Sequence, residues 1–596
     1  MTNLDPFTRE TIAQGLLAAA DEMFYSWGRT SQSTIIYEVL DYACGLTDSN
    51  GNLIGQANGA TMFLGAISFS AKAILRKFGK DNIKPGDIFL TNDPYTGSGT
   101  HLCDVAAILP IFFDGDLVAF SVNKGHWNEV GGKNLGSWST DATEIFQEGL
   151  QLPDIRVYDG GKFNESVRDI IAANCRTPEM TLGDLYAQTA ALRTAENRVL
   201  EIFRKYGREK VLQSIAYILE SGKKIALLEL SRMPKGIFYG NDVLDTDANG
   251  VDDIPVKVKV TITNERMIFD FTGSGPAVFA PINCSIYGAY SGARIIYQAL
   301  VSPHTPANDG FYSPLEVIAP EGCLFNAVKP YPVSCDWEPI QILTDVVLRA
   351  LAPVMPERVP AGHFLSIIGT IIGGIEDKTG KPFVMCEPQA GGWGAGYNKD
   401  GERGLVAVCD GETFVIPVEV CEFRYPIRVE QFALNPKVGN GEFIGGHGLI
   451  RDYRVLNSGA ELTTMASRYK NAPWGFAGGS DGSRNEVQVH RSSGGMESRA
   501  TWSHERLERG DVVRFISGGG GGYGDPRKRP AAKVFDDWKN EYISLEEARD
   551  EFGVVIDREN RRIDEEKTSL LRETDYQLTA GEEKRNEPKN AKGVLL

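Results

Sequence analysis

The sequence predicts a mixed, multi-domain α+β protein: an N-terminal α/β region that includes a pair of long helices, followed by a β-rich, glycine-rich domain. Three observations lead there. Short apolar segments separated by Gly, Asn and Asp turns run from residue 33 to about residue 126, as strands do. From about 178 to 232 apolar residues recur every three or four positions, the period of a helix. Beyond 235 the alternation of VKVKVTI opens a stretch whose β character extends to about 520. At 596 residues the chain is long for one hydrophobic core and suits two or three domains of roughly 100–200 residues each.

In chain order, PFTRETIAQGLLAAADEMFYSW opens with a helix whose apolar face carries Ile12, Leu16, Leu17, Ala20 and Met23 and whose cap is Thr8. STIIYEVLDYACGLTDSNGNLIG predicts a hairpin turning at D-S-N-G-N, and GATMFLGAISFSAKAILRKFG a second apolar helix. Three strand segments follow to residue 126, then the two long helices, joined at Tyr206-Gly207. A break near 235 divides an N-terminal domain, 1–235, from a β-rich domain, 236–530, with one helix near 339–354; GGGGGYGDP at 518–526 closes it. The remainder, 531–596, holds a short helix opened by the Ser544/Glu547 capping box and ended by Gly553, then a charged tail of about thirty residues.

Composition narrows the partners. Lys and Arg number 62 against 79 Asp and Glu, a balance of −17 that repels phosphate backbones and acidic bilayers, and no basic patch offsets it. Nucleic acid is a poor partner. No 18-residue apolar run occurs, so neither export nor a membrane span is expected. The nine cysteines contain no C-x-x-C pair, which fits free thiols in a reducing cytoplasm. Glycine, 65 of 596 residues, is about 11% against a usual ~7%, which implies many turns and close backbone approaches.

Chemistry concentrates in two glycine-flanked segments. His101 and Asp104 lie in TNDPYTGSGTHLCDV, and His126 lies in NKGHWNEVGG at a predicted strand end. Imidazole nitrogen with carboxylate oxygen is the donor set that holds Zn, Mn or Fe(II). Asp41 is a further ligand candidate, because it interrupts the apolar run IIYEVLDYACGL, where a carboxylate needs a compensating cation or hydrogen bonds. Taken alone, His-x-x-Asp is mostly a pair of loop residues capping turns. Glu129, Glu144 and Glu148 follow and could serve as general base or orient a ligand, against the ordinary alternative of solvated carboxylates. No G-x-x-x-x-G-K-[ST] or G-x-S-x-G is present; SGGGGGYG and GGWGAG at 391–396 are tight turns whose amides could at most hold a small anion. Cys44 and Cys103 read as buried small hydrophobes.

NDPYTGSGTHLCD (92–104), GHWNEVGG (125–132), ATEIFQEGLQLP (142–153), DFTGSG (270–275), PVEVCEFRYPIRVEQF (417–432), GGHGLIRDY (445–453) and GGGGGYGDP, in that order, resemble the hydantoinase B family. That family includes the B-type chains of ATP-dependent hydantoinases and caprolactamase, the matching half of 5-oxoprolinase, and subunits of acetone and acetophenone carboxylases. The resemblance implies a hydantoinase A-type partner that binds ATP and phosphorylates a carbonyl or amide oxygen. It also implies a divalent metal on Asp41, His101, Asp104 and His126. Trp127 and Glu129 depart from the family's GHHxDxGG and put a large aromatic wall near the metal, which tilts the expectation toward a ketone. The implied activity is then that of a biotin-independent, ATP-dependent carboxylase subunit acting on acetophenone or a similar ketone with bicarbonate; a small zinc-binding chain would be a further partner. No biotinyl-lysine context such as A-M-K-M is present. Glu129 or Glu148 would assist proton transfer. Two alternatives stand beside it: a cyclic amidase subunit and a non-catalytic structural subunit.

Overall fold

The computed structural model describes residues 4–97, 99–246 and 249–573; the expected charged tail lies almost wholly outside them. Its first layer is a seven-stranded sheet of β1 (Tyr42–Asp48), β2 (Leu53–Gln56), β3 (Ile88–Thr91), β4 (Asp104–Phe113), β5 (Asp116–His126), β6 (Ile155–Asp159) and β7 (Lys162–Phe163), in the order β2-β1-β5-β4-β3-β6-β7. Its central strands are buried on both faces, which is why DVAAILPIFF reads as a continuous apolar run rather than an alternation. Helices Pro6–Thr30 and Pro178–Tyr206 pack together on one side, the second against β4 and β5. The helical turn Thr61–Leu64 and helix Ile67–Phe78 cover β1 from the other.

The expected second helix is thus two pieces. The first helix is capped by Asp5, whose carboxylate accepts the amides of Phe7 and Thr8; Thr8 itself lies inside it. Residues Thr34–Tyr37, expected in the hairpin's first strand, form a helical turn, so Asp41 does not interrupt a strand but stands directly before β1.

After helix Arg208–Arg232 come a four-stranded sheet beginning with Gly236–Thr246 and Asp252–Ile262, and two further sheets of four and five strands between residues 370 and 516. Two long helices cross this β-rich stretch, beside the shorter Val418–Arg424 and Asp309–Tyr312. One, Trp337–Leu351, begins two residues before the expected 339. The other, Ile286–Val301, replaces expected β structure, since IYGAYSGARIIYQALV mixes aromatic and β-branched residues with glycine. Tertiary packing decides it. Gly288 and Gly292, one turn apart, let Ile340 of the neighbouring helix approach to where a Cβ would stand 3.0 Å from its side chain. One hydrophobic core extends from Ile12 to Phe515, and a smaller one around Val534, Phe552 and Val554 holds the C-terminal helices, with the Ser544/Glu547 capping box in place.

The glycine run closing this region is neither an anion cradle nor a simple turn. All five amides from Gly518 to Gly522 are spent, donating to Asn485 Oδ1, Ser483 Oγ and the carbonyls of Gly446, Gly362 and Ser480. The run is a spine onto which the loops at 391–396, 439–446 and 475–483 are laced, at backbone separations only glycine permits. A Cβ on Gly520 would overlap the Trp393 carbonyl, whereas one on Gly396 would meet only Lys399 at ordinary contact distance. Thermal unfolding should therefore show Gly520→Ala destabilised by about 2 kcal/mol or more, with Gly396→Ala near wild type.

Candidate functional site

Antiparallel pairing builds the centre of the site. In the β4–β5 ladder Asp104 at the start of one strand stands opposite His126 at the end of the other. The His126 amide donates to the Asp41 carbonyl (3.1 Å), which brings Asp41 to the same strand end. His101 reaches back over one turn, where the Asp104 amide donates to its carbonyl (3.1 Å), and Thr100 Oγ1 donates to Asp104 Oδ2. The loop before it is tied down by Asn92, whose Nδ2 donates to the carbonyls of Leu102 (2.7 Å) and Leu150 (2.9 Å) and whose Oδ1 accepts the Leu152 amide (2.7 Å).

His101 Nε2 is 3.1 Å and His126 Nδ1 3.5 Å from Asp104 Oδ1, and Asp41 Oδ2 is 3.8 Å from His126 Nδ1. Donor atoms of His101, Asp104 and His126 all lie within 4.8 Å of one another, and all three residues are buried. Neighbouring ligands of an ion with bonds of about 2.1 Å sit about 3.0–3.4 Å apart, which the 3.1 Å and 3.5 Å separations from Asp104 approach, with Asp41 standing wider at 3.8 Å. His101 Nδ1 is buried and has no hydrogen-bond partner.

The electrostatics follow from crowding acids in a dry place. Burial alone would raise the Asp104 carboxyl, but His101 and His126 hold it well below the usual range. Burial works against the His101 imidazolium, yet Asp104 beside it leaves the group raised; His126, desolvated and next to His101, is lowered. Asp41 is pushed well up by burial and by the charges of Asp410 and Asp104. Behind the histidines, burial lifts Asp336 to about 7 and lowers Lys124 to about 8.

His101, His126 and Asp41 open on a cavity of about 50 Å3, room for a few water molecules or for the reacting atoms of a small substrate. Its walls are Phe63, Trp138, Trp337 and Ile367, with Cys386 and Asp410 completing the ring. Trp337 meets His101 edge-on at 5.4 Å and Trp138 at 5.0 Å. Trp127 is not a wall of this cavity. It turns to the opposite face of the sheet, where its Nε1 donates to Gln188 Oε1 (3.0 Å) of helix Pro178–Tyr206. Successive residues of an extended segment alternate faces, and His126 takes the cavity side.

Glu129 and Glu148 do not line the cavity either. Glu129 accepts from the Gly131 (2.7 Å) and Gly136 (3.2 Å) amides, Ser137 Oγ and Arg176 Nη1 (3.1 Å), organising the loop that follows β5. Glu148, raised to about 8 by burial, accepts the amides of Val333 (2.9 Å) and Ser334 (2.8 Å) and so fixes the approach to Trp337. Glu144 is exposed. The nine cysteines are all buried and free. Sequence reasoning missed Trp138, Trp337, Cys386 and Asp410. Only Trp138 lies near the motif histidines in sequence, and none of the four carries a spacing signature.

A buried cluster of two imidazoles and a carboxylate, with the half-buried Asp41 beside it, walled by indoles and set at the joined ends of two strands in a multi-sheet α+β scaffold, defines a class of cavity-bearing protein suited to a divalent ion. The chain belongs to the hydantoinase B/oxoprolinase family, whose model matches residues 5–526. It is similar to the beta chain of caprolactamase from Pseudomonas jessenii, at 31% identity over 96% of this chain and all of that one. The B-type chain of a candidate D-/L-hydantoinase from Pseudomonas sp. is 30% identical over 96% of this chain and 98% of its own length. The crystal structure of the ATP-dependent caprolactamase from P. jessenii superimposes with a TM-score of 0.89 at 29% identity, covering 96% of this chain and 100% of that one. Nucleotide-free acetone carboxylase shares the fold, with a TM-score of 0.89 at 19% identity over 98% and 84%. None of the described helices is long and apolar enough to cross a membrane.

Two outcomes are expected. His101→Ala and His126→Ala should each retain at least about tenfold less divalent metal than wild type by elemental analysis, while Glu148→Gln keeps its metal. The metal-free chain should also lose stability as pH rises from about 6.5 to about 8: Glu148, Asp336 and His101 keep protons in the folded state that the unfolded chain has released, so raising the pH favours unfolding. Thermal melts across that window check the sign, and Glu148→Gln should make the dependence shallower.

Proposed function

We propose that the chain is the B-type component of an ATP-dependent complex that hydrolyses a ring amide. The observation that carries this reading is the convergence of His101, Asp104 and His126, with Asp41 beside them, at the edge of one cavity, in a chain similar over 96% of its length to hydantoinase and caprolactamase subunits. A hydantoinase A-type partner would bind ATP and activate the amide carbonyl oxygen. His101, Asp104, His126 and Asp41 would hold a divalent ion, which supplies Lewis acidity toward a substrate oxygen.

The chain's own residues set the conditions for that chemistry. Thr100 fixes the Asp104 carboxylate, and Trp337, packed against the His101 ring, restricts its orientation. Phe63, Trp138 and Trp337 exclude bulk water and offer apolar contact to a ring. In this reading Glu129 and Glu148 are backbone clamps that hold these walls in place.

Carboxylation of an activated ketone, with a small zinc-binding chain as additional partner, is the second reading. The indole walls offer an aromatic ketone the same apolar contact as a ring amide, whereas the Trp127 wall that tilted the sequence toward it faces away from the cavity. Turnover by the native complex, purified with its co-expressed partner, separates the two. Oxygen-18 from water should appear in the carboxylate of a ring-opened amino acid. Carbon-13 from bicarbonate in a β-keto acid would establish the ketone reading instead, and neither label, with no metal bound, would leave a structural role.

A further inference from the structure

A histidine that ligates an ion through one ring nitrogen carries a proton on the other, and that N–H needs an acceptor to fix the ring. His126 has a neighbour for it. Its Nδ1 faces Asp104 at 3.5 Å, and its Nε2 lies 3.9 Å from Cys386 Sγ. His101 turns its Nε2 to Asp104 at 3.1 Å, which leaves Nδ1 on the far side of the ring, buried and without a hydrogen-bond partner.

The Asp336 carboxylate is an acceptor left over in the same way. It is completely buried, and apart from its own amide neither oxygen has a hydrogen-bond partner among the described residues. Asp336 stands at the N-cap of helix Trp337–Leu351, where an aspartate ordinarily accepts the amides of the first turn, yet its side chain makes no such bond. The backbone around it is held by other groups. Glu148 accepts the Val333 and Ser334 amides, the Asp336 amide donates to the Val333 carbonyl (3.0 Å), and the Glu338 amide donates to the Cys335 carbonyl (3.1 Å). Its chain neighbour Trp337 lies edge-on to the His101 ring at 5.4 Å, and His101 acts on the Asp336 charge more strongly than Asp104 or Lys124 does. An unanswered acceptor thus sits beside an unanswered donor.

We propose that Asp336 is a positioning residue for the metal site: through one bound water it accepts the Nδ1 proton of His101 and so holds that ring with Nε2 turned to the ion. Three polar atoms, Nδ1 and the two carboxylate oxygens, match the three hydrogen bonds that a buried water ordinarily makes. The same link makes Nε2 the more basic ligand, because a carboxylate drawing on the Nδ1 proton leaves more electron density on the opposite nitrogen.

This inference rests on the reading of the cluster as a metal site, and it holds for a ring amide and a ketone alike. Its test uses zinc alone on the full-length chain. With nitrogen-15-labelled histidine, NMR of the zinc-loaded wild type should show a slowly exchanging imidazole N–H on His101 Nδ1, assigned by its absence from His101→Ala. Asp336→Leu should lose that signal and bind zinc about tenfold to a hundredfold more weakly in competition with a chelator. Asp336→Asn, which keeps an acceptor oxygen, should retain both and guards against a folding defect in the leucine variant. Wild-type zinc affinity in a folded Asp336→Leu, a zinc-loaded wild type whose His101 Nδ1 carries no proton, or weakened binding in Asp336→Asn would overturn the assignment alone. A wild-type chain that binds no zinc would overturn the metal reading and this inference with it.

Discussion

The site depends first on the register between β4 and β5. Pairing Asp104 with His126 is a backbone event, set by the ladder that also pairs Val105 with Gly125 and Ala106 with Lys124. A slip of one residue would turn His126 to the helix side and Trp127 to the cavity, exchanging an imidazole for an indole. The register is well defended. Asn123 Nδ2 donates to the Gln188 carbonyl and Trp127 to the Gln188 side chain on one face, while Lys124 lies 5.5 Å from the Phe63 ring on the other. Strand pairing thus sets Asp104 and His126 side by side at the centre of the donor cluster.

The second constraint is the glycine spine. Trp337, Cys386 and Asp410 come from segments far from the histidines in sequence, and their positions relative to the sheet depend on how the later loops stack. Lacing the loops at 391–396, 439–446 and 475–483 onto Gly518–Gly522 fixes that stacking through backbone hydrogen bonds. The high glycine content is explained by this close packing as much as by turns. Two parts of the chain, one organised by a sheet and one by laced loops, meet over a cavity of a few water volumes.

How much of this was legible in the sequence can be judged residue by residue. Strands β3 to β5 and the helices meeting at Gly207 carry strong local periodicity, and the structure has them. Helix Ile286–Val301 was hidden because its glycines serve a helix contact that no local pattern reveals. His101, Asp104 and His126 stood out by residue type and glycine context, and the family motifs pointed the same way; their convergence is now a geometric fact, while their role remains proposed. Asp410 could not be found this way: it sits in an unremarkable VCDGE and reaches the cavity only through folding. Trp127 misled because its neighbour's role was carried over to it, although adjacent residues of an extended strand face opposite ways.

The paired indoles have a consequence of their own. Trp138 and Trp337 are buried, 5.0 Å apart, and Trp337 touches the imidazole of His101. Indole emission responds to nearby charge and to quenching groups, so events at the donor cluster are coupled to light emitted a few ångströms away. The chain carries its own optical gauge, built into the wall and requiring no added label.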